Sequence, residues 1–173
     1  RKITAEGVVT TLAGLAGSAG SADGTGSAAR FILPTGLAVD GGGNVYVSDL
    51  ETDSIRKITP AGVVTTLAGR AASPGSADGT GATARFRSPA GVAADRSGNV
   101  FVADTDNHTV RRISADGVVT TLAGSAGNYG TVDGTGRRRR STSGGQLHRQ
   151  ADALEALVLE DADGVHRVVL EEV

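Results

Sequence analysis

The chain of 173 residues sets 17 Lys and Arg against 19 Asp and Glu, a net charge of −2, which excludes a global electrostatic pull toward nucleic acid or an anionic membrane. It contains no Cys, so disulfides, thiolate metal sites and a thiol nucleophile are excluded as well. No apolar run approaches the ~18 residues of a membrane span, and 26 Gly without collagen-like spacing predict many turns between short elements.

The chain opens inside a repeating unit. Arg1-Lys2-Ile3 and the run Gly-Val-Val-Thr-Thr-Leu-Ala-Gly at 7–14 predict two strands, half of a larger element. Residues 15–33 form a long linker containing Gly-Ser-Ala-Asp-Gly-Thr-Gly and then Ala-Arg-Phe. From Pro34 the pattern predicts four strands: 36–40; 45–49, after the tight turn Gly41-Gly42-Gly43-Asn44; 55–58, after a polar loop; and 63–68, after Pro60-Ala61-Gly62. No segment of the repeat has helical periodicity. The linker then recurs at 70–88 and the four strands at 89–124.

Residues 1–55 laid over 56–110 agree at 33 of 55 positions without a gap. A four-stranded meander copied at fixed spacing describes one blade of a β-propeller, whose apolar faces are buried only against neighbouring blades. The expected fold is all-β: an incomplete propeller of four-stranded antiparallel blades with a short α/β or irregular C-terminal tail. The half blade spans 1–14, the blades 34–69 and 89–124, and the propeller segment ends at 136. Closure needs at least about four blades, so the chain reads as a piece of something longer, and its isolated form is expected to self-associate through uncovered edges. After Gly136 the third linker breaks into Arg137–Arg140, and 137–173 has a different character. Leu147, Ala151, Leu154 and Val158 predict a helix over 146–159; a hairpin of 156–160 with 165–170 is the competing reading. A frameshift or rearrangement is the expected origin of this tail, which an intact repeat in another reading frame of the locus would establish.

Several motifs occur in order: Pro-x-Gly-x-Ala-x-Asp, Gly-Asn-Val-Tyr/Phe-Val-x-Asp, Arg-x-Ile, and Gly-Val-Val-Thr-Thr-Leu-Ala-Gly. Together they resemble the NHL repeat, and the linkers resemble those of bacterial NHL arrays. Ala103-Asp104-Thr105-Asp106-Asn107-His108-Thr109-Val110-Arg111 is similar to that family's strand–loop–strand signature, while the first copy reads Leu50-Glu51-Thr52-Asp53-Ser54. The resemblance implies a propeller serving as binding platform, sensor or, in some members, lyase. It also implies an extracytoplasmic location.

Chemistry-bearing residues are few. Asp40, Asp49, Asp95 and Asp104 end strands in both blades; as a ring they would hold Ca²⁺, but recurrence with the blade favours turn capping. Asp23-Gly24-Thr25-Gly26 and Asp78-Gly79-Thr80-Gly81 lack the Lys and following helix of a phosphate loop. They read as structured linkers in which Asp23 pairs with Arg30, Asp78 pairs with Arg85, and Phe31 and Phe86 plug between blades. Arg56, Lys57, Arg111 and Arg112 suggest a basic rim, cancelled for nucleic acid by neighbouring acids and without aromatics to stack bases. The residues expected to meet a ligand are Asp53, Arg56, Asp106, Asn107, His108 and Arg111, by hydrogen bonding and charge contact. The expected function is a non-catalytic binding platform for a protein or small polar ligand on the loop face, with no cofactor and no membrane. The alternative is a lyase or lactonase-like hydrolase with a metal at the propeller centre.

Overall fold

Each hairpin is set by its turn chemistry. In blade one the Asp40 carboxylate accepts hydrogen bonds from the Gly42 and Asn44 backbone N–H groups, the Asn44 amide and the Tyr46 hydroxyl, at 2.8–2.9 Å. Asp95 does the same with Ser97 and Asn99 in blade two. Burial opposes the Asp40 charge, but the donors outweigh it and hold the carboxyl below its usual range. Burial, with Asp40 as hydrogen-bond partner, pushes the Tyr46 phenol up to about 12. These aspartates therefore turn into their own blades and do not form a ring of carboxylates facing a channel.

The computed structural model describes residues 1–130. The third Asp-Gly-Thr-Gly (133–136), the Arg137–Arg140 run, His148, His166 and both readings of the tail lie outside the described residues. Strands β1 (Lys2–Ile3) and β2 (Val9–Thr10) form the half blade. The first linker holds β3 (Gly24–Thr25), and blade one follows as β4 (Pro34–Val39), β5 (Val45–Asp49), β6 (Ser54–Ile58) and β7 (Val63–Gly69). The second linker holds β8 (Gly79–Thr80), ahead of β9 (Pro89–Ala94), β10 (Val100–Asp104), β11 (Thr109–Ile113) and β12 (Val118–Gly124) of blade two. Each blade is an antiparallel meander, and the architecture is an open, all-β propeller segment.

The sheets have five strands rather than four, because β3 pairs with β7 and β8 pairs with β12. Each linker thus adds a short outer strand to the blade that follows it, and part of the linker belongs to the sheet. Gly69 and Gly124 end the fourth strands with φ of +90° and +85°, where a Cβ would strike the Asp53 and His108 carbonyl oxygens. Only glycine combines that left-handed conformation with so close an approach.

The main core lies between the blades. Tyr46, Ile55 and Ala68 of blade one meet Phe86, Val92, Val100, Val102, Ile113 and Val119, all buried. A smaller cluster of Ala29, Val47, Ile58 and Val64 packs under Leu12, Ala13 and Phe31 at the half-blade side. The first strands of the two blades run side by side, with the Thr35 and Ser48 hydroxyls donating to the Ala90 carbonyl. No helix among the described residues is long and apolar enough to cross a membrane.

Candidate loop-face site

The loop face is shaped by how each linker is tied down. Arg111, on β11, is fully buried. One guanidinium nitrogen donates to the Arg85 carbonyl at 3.0 Å and the Asp104 carboxylate at 2.8 Å. The other donates to the Ala77 carbonyl at 3.0 Å and Asp78 at 2.8 Å. The guanidinium also sits 5.3 Å from the centre of the Phe86 ring. Arg56 repeats this arrangement on β6, bonding the Arg30 and Ala22 carbonyls and Asp23, with Phe31 at 5.1 Å. Its link to Asp49 is looser, 3.6 Å.

Arg56 and Arg111 are therefore drawn inward and do not form a basic rim. Their planar forks offer several donors to linker carbonyls that no β-ladder satisfies. Asp23 and Asp78, expected to pair with Arg30 and Arg85, accept from Arg56 and Arg111, while Arg30 and Arg85 donate to nearby backbone carbonyls.

Asp104 is completely buried, and burial pushes its carboxyl up against the pull of the Arg87 N–H, Asn107 and Arg111. Asp78 goes the other way: burial is outweighed by the Thr121 and Arg111 donors, and its carboxyl is held low. A depressed carboxyl stabilises the fold above its unfolded value and loses that contribution as pH falls through the folded value. Stability is thus expected to decline below pH of about 4, with Asp78→Asn flattening that decline. Denaturation midpoints across pH 2–7 check it, and an unchanged slope in the variant contradicts it.

Asn107, on the turn after β10, is also buried, donating to the Gly75 carbonyl at 2.7 Å and Asp104 at 2.8 Å. The remaining residues do face outward. The half-buried Asp53 accepts the Ser88 N–H at 2.9 Å, and the exposed Asp106 accepts the Ser88 hydroxyl at 2.7 Å, so Ser88 joins the loops of both blades. His108 is exposed, in a left-handed conformation with φ of +56°, and its imidazole meets Tyr129 edge-on at 5.7 Å and 62°. Of the six sequence-derived candidates, Asp53 and Asp106 present polar atoms where Ser88 joins the blades and His108 is exposed beside Tyr129; Arg56, Asn107 and Arg111 hold the scaffold.

Ser88 and Tyr129 were not among those candidates. Both depart from the repeat: Leu33 stands where the second linker has Ser88, and Tyr129 lies outside the two repeated aromatic positions, Phe31/Phe86 and Tyr46/Phe101. The arrangement offers carboxylate acceptors, a hydroxyl, an imidazole and a ring edge. Among the described residues no group of three or more His, Cys, Asp or Glu is placed to hold a metal.

Residues 86–113, from the linker Phe through the end of β11, match the NHL repeat family. That stretch is an NHL repeat. Over 95 residues the chain is 36% identical to the chloroplastic protein SUPPRESSOR OF QUENCHING 1 of Arabidopsis thaliana, covering 54% of this chain and 9% of that one. A candidate phosphatase from Bacteroides thetaiotaomicron superposes with a TM-score of 0.53 at 30% identity, over 60% of this chain and 26% of that chain. An auxiliary nutrient binding protein from the same organism gives 0.52 at 28% identity, over 64% and 28%. The chain thus spans under a tenth of the curated relative and about a quarter of each of these solved structures.

Proposed function

We propose that this NHL segment belongs to a non-catalytic binding platform, with a small polar ligand or a protein segment meeting the loop face where the two blades join. One observation carries the reading. Around the turn between β10 and β11, Asp104, Asn107 and Arg111 direct their hydrogen bonds to the linker and to one another, whereas Asp106 and His108 stay exposed, His108 against Tyr129. The acceptors Asp53 and Asp106 suit hydroxyl or amine donors, and the Tyr129 ring beside His108 suits an apolar face of a ligand. The likeness to a nutrient binding protein supports a solute of this kind. A central-metal lyase or hydrolase would need carboxylates free to converge, and Asp40, Asp49, Asp95 and Asp104 are engaged with N–H or O–H donors in their own blades and linkers.

The test is an NMR titration with small sugars and short peptides. Saturable shifts at Asp106, His108 and Tyr129 are expected, with His108→Ala and Tyr129→Ala each weakening binding about tenfold, one good contact. No saturable shift across the panel, or binding that survives both substitutions, rejects the site. The resemblance to bacterial NHL arrays favours a location outside the cytoplasm, which fractionation of the producing cell checks.

A further inference from the structure

Ser88, at the end of the second linker, has φ of +50°, a left-handed conformation in which most of the residues described are glycine. Serine carries a hydroxyl that glycine lacks, and here that hydroxyl is engaged. The Ser88 N–H and side chain reach different loops. The N–H donates to Asp53, in the turn between β5 and β6, at 2.9 Å, and the hydroxyl donates to Asp106, in the turn between β10 and β11, at 2.7 Å. The second distance is that of a charge-assisted O–H···O⁻ bond.

The residue before it is pinned to the same turn of blade two. The Arg87 N–H donates to Asp104 at 2.7 Å, and the Arg87 carbonyl accepts the Asp106 N–H at 3.2 Å. Backbone and carboxylate of Asp106 are thus both held by two adjacent linker residues. The Asp106 side chain is exposed, and among the described residues no other hydrogen bond or ion pair holds its carboxylate. Without the Ser88 hydroxyl it would turn freely in water. The first linker has Leu33 at this position, so it offers no hydroxyl to Glu51, the counterpart of Asp106.

We propose that Ser88 is a positioning residue of the loop-face site, fixing the Asp106 carboxylate in one orientation so that a ligand's hydroxyl or amine meets an acceptor already in place. The inference rests on the binding reading above and deepens it: Ser88 contributes to affinity without touching the ligand. A carboxylate held through one oxygen keeps the other for the ligand, and ordering it beforehand removes that entropic cost from binding.

Ser88→Gly tests this, because glycine keeps the left-handed backbone and the N–H accepted by Asp53 and loses only the hydroxyl. Without ligand, the Hα–Hβ couplings of Asp106 are expected to report a single side-chain rotamer in the unsubstituted chain and averaging in the variant. The ligand probes are glucosamine and triglycine, one for the sugar and one for the peptide class. Whichever saturably shifts Asp106 should bind Ser88→Gly about fivefold more weakly, the cost of ordering one side chain. On an Asp106→Ala background Ser88→Gly should weaken binding no further, a result that a general loosening of the fold would not give. Couplings averaged in both proteins, couplings unchanged by the substitution, or additive losses of affinity overturn the positioning role. Couplings that behave as expected while neither probe binds the unsubstituted chain reject the ligand reading instead.

Discussion

Arg111→Ala is expected to destabilise the protein by about 3–5 kcal/mol, the range for removing one partner of a buried ion pair. The side chain is fully buried and bonds two carboxylates and two linker carbonyls. Its removal leaves the Asp104 carboxylate buried beside an empty space and releases the 77–85 stretch of the linker from the blade top. The loss is a large part of the 5–15 kcal/mol that a domain typically has. Arg111→Met combined with Asp104→Leu should recover part of it, because the buried charge goes together with its partner. Urea denaturation of the two variants beside the parent protein measures this. A loss for Arg111→Ala of under about 1 kcal/mol, the range of an exposed pair, would show the latch to be ornamental.

The second large effect is expected at Phe86. Its ring is completely buried in the cluster between the blades, with Tyr46, Ile55 and Ala68 on one side and Val100, Val102 and Ile113 on the other. Phe86→Ala removes that plug and leaves a cavity that β-sheets pinned by their ladders cannot close, at about 3–5 kcal/mol. The guanidinium of Arg111 loses its aromatic neighbour as well. The same substitution at Phe31 should have a smaller effect, because that ring is only half-buried. Comparing the two denaturation midpoints tests whether the energy belongs to the repeat position or to the completed blade interface; equal losses would favour the former.

Much of the fold was legible before any coordinates. Asp40–Asn44 and Asp95–Asn99 announced hairpin turns because Asp, Gly and Asn bond their own backbone, and such local chemistry needs no tertiary partner. Alternating Val and aromatic residues marked β5 and β10 for the same reason. The fifth strands β3 and β8 escaped notice because Gly-Thr has no strand signal of its own; each forms only where the linker lies along an existing edge.

The site was half legible. The loop 105–108 stood out as polar, but sequence cannot say which polar residues point outward. Arg56 and Arg111 looked like surface charges and are the most deeply buried cations among the described residues. Their partners are linker carbonyls 26 and 34 residues earlier, contacts that exist only once the linker crosses the blade. Ser88 and Tyr129 acquired meaning from proximity to Asp106 and His108 in the same way.

The sequence by itself determined the repeat, its period, the four-stranded meander and the turns, since these follow from short-range backbone preferences and a copied pattern. Tertiary structure alone decided which charges are latches and which meet solvent, and which linker segments join the sheets as outer strands. Burial and ion pairing are properties of segments brought together from distant parts of the chain, and no local pattern records them.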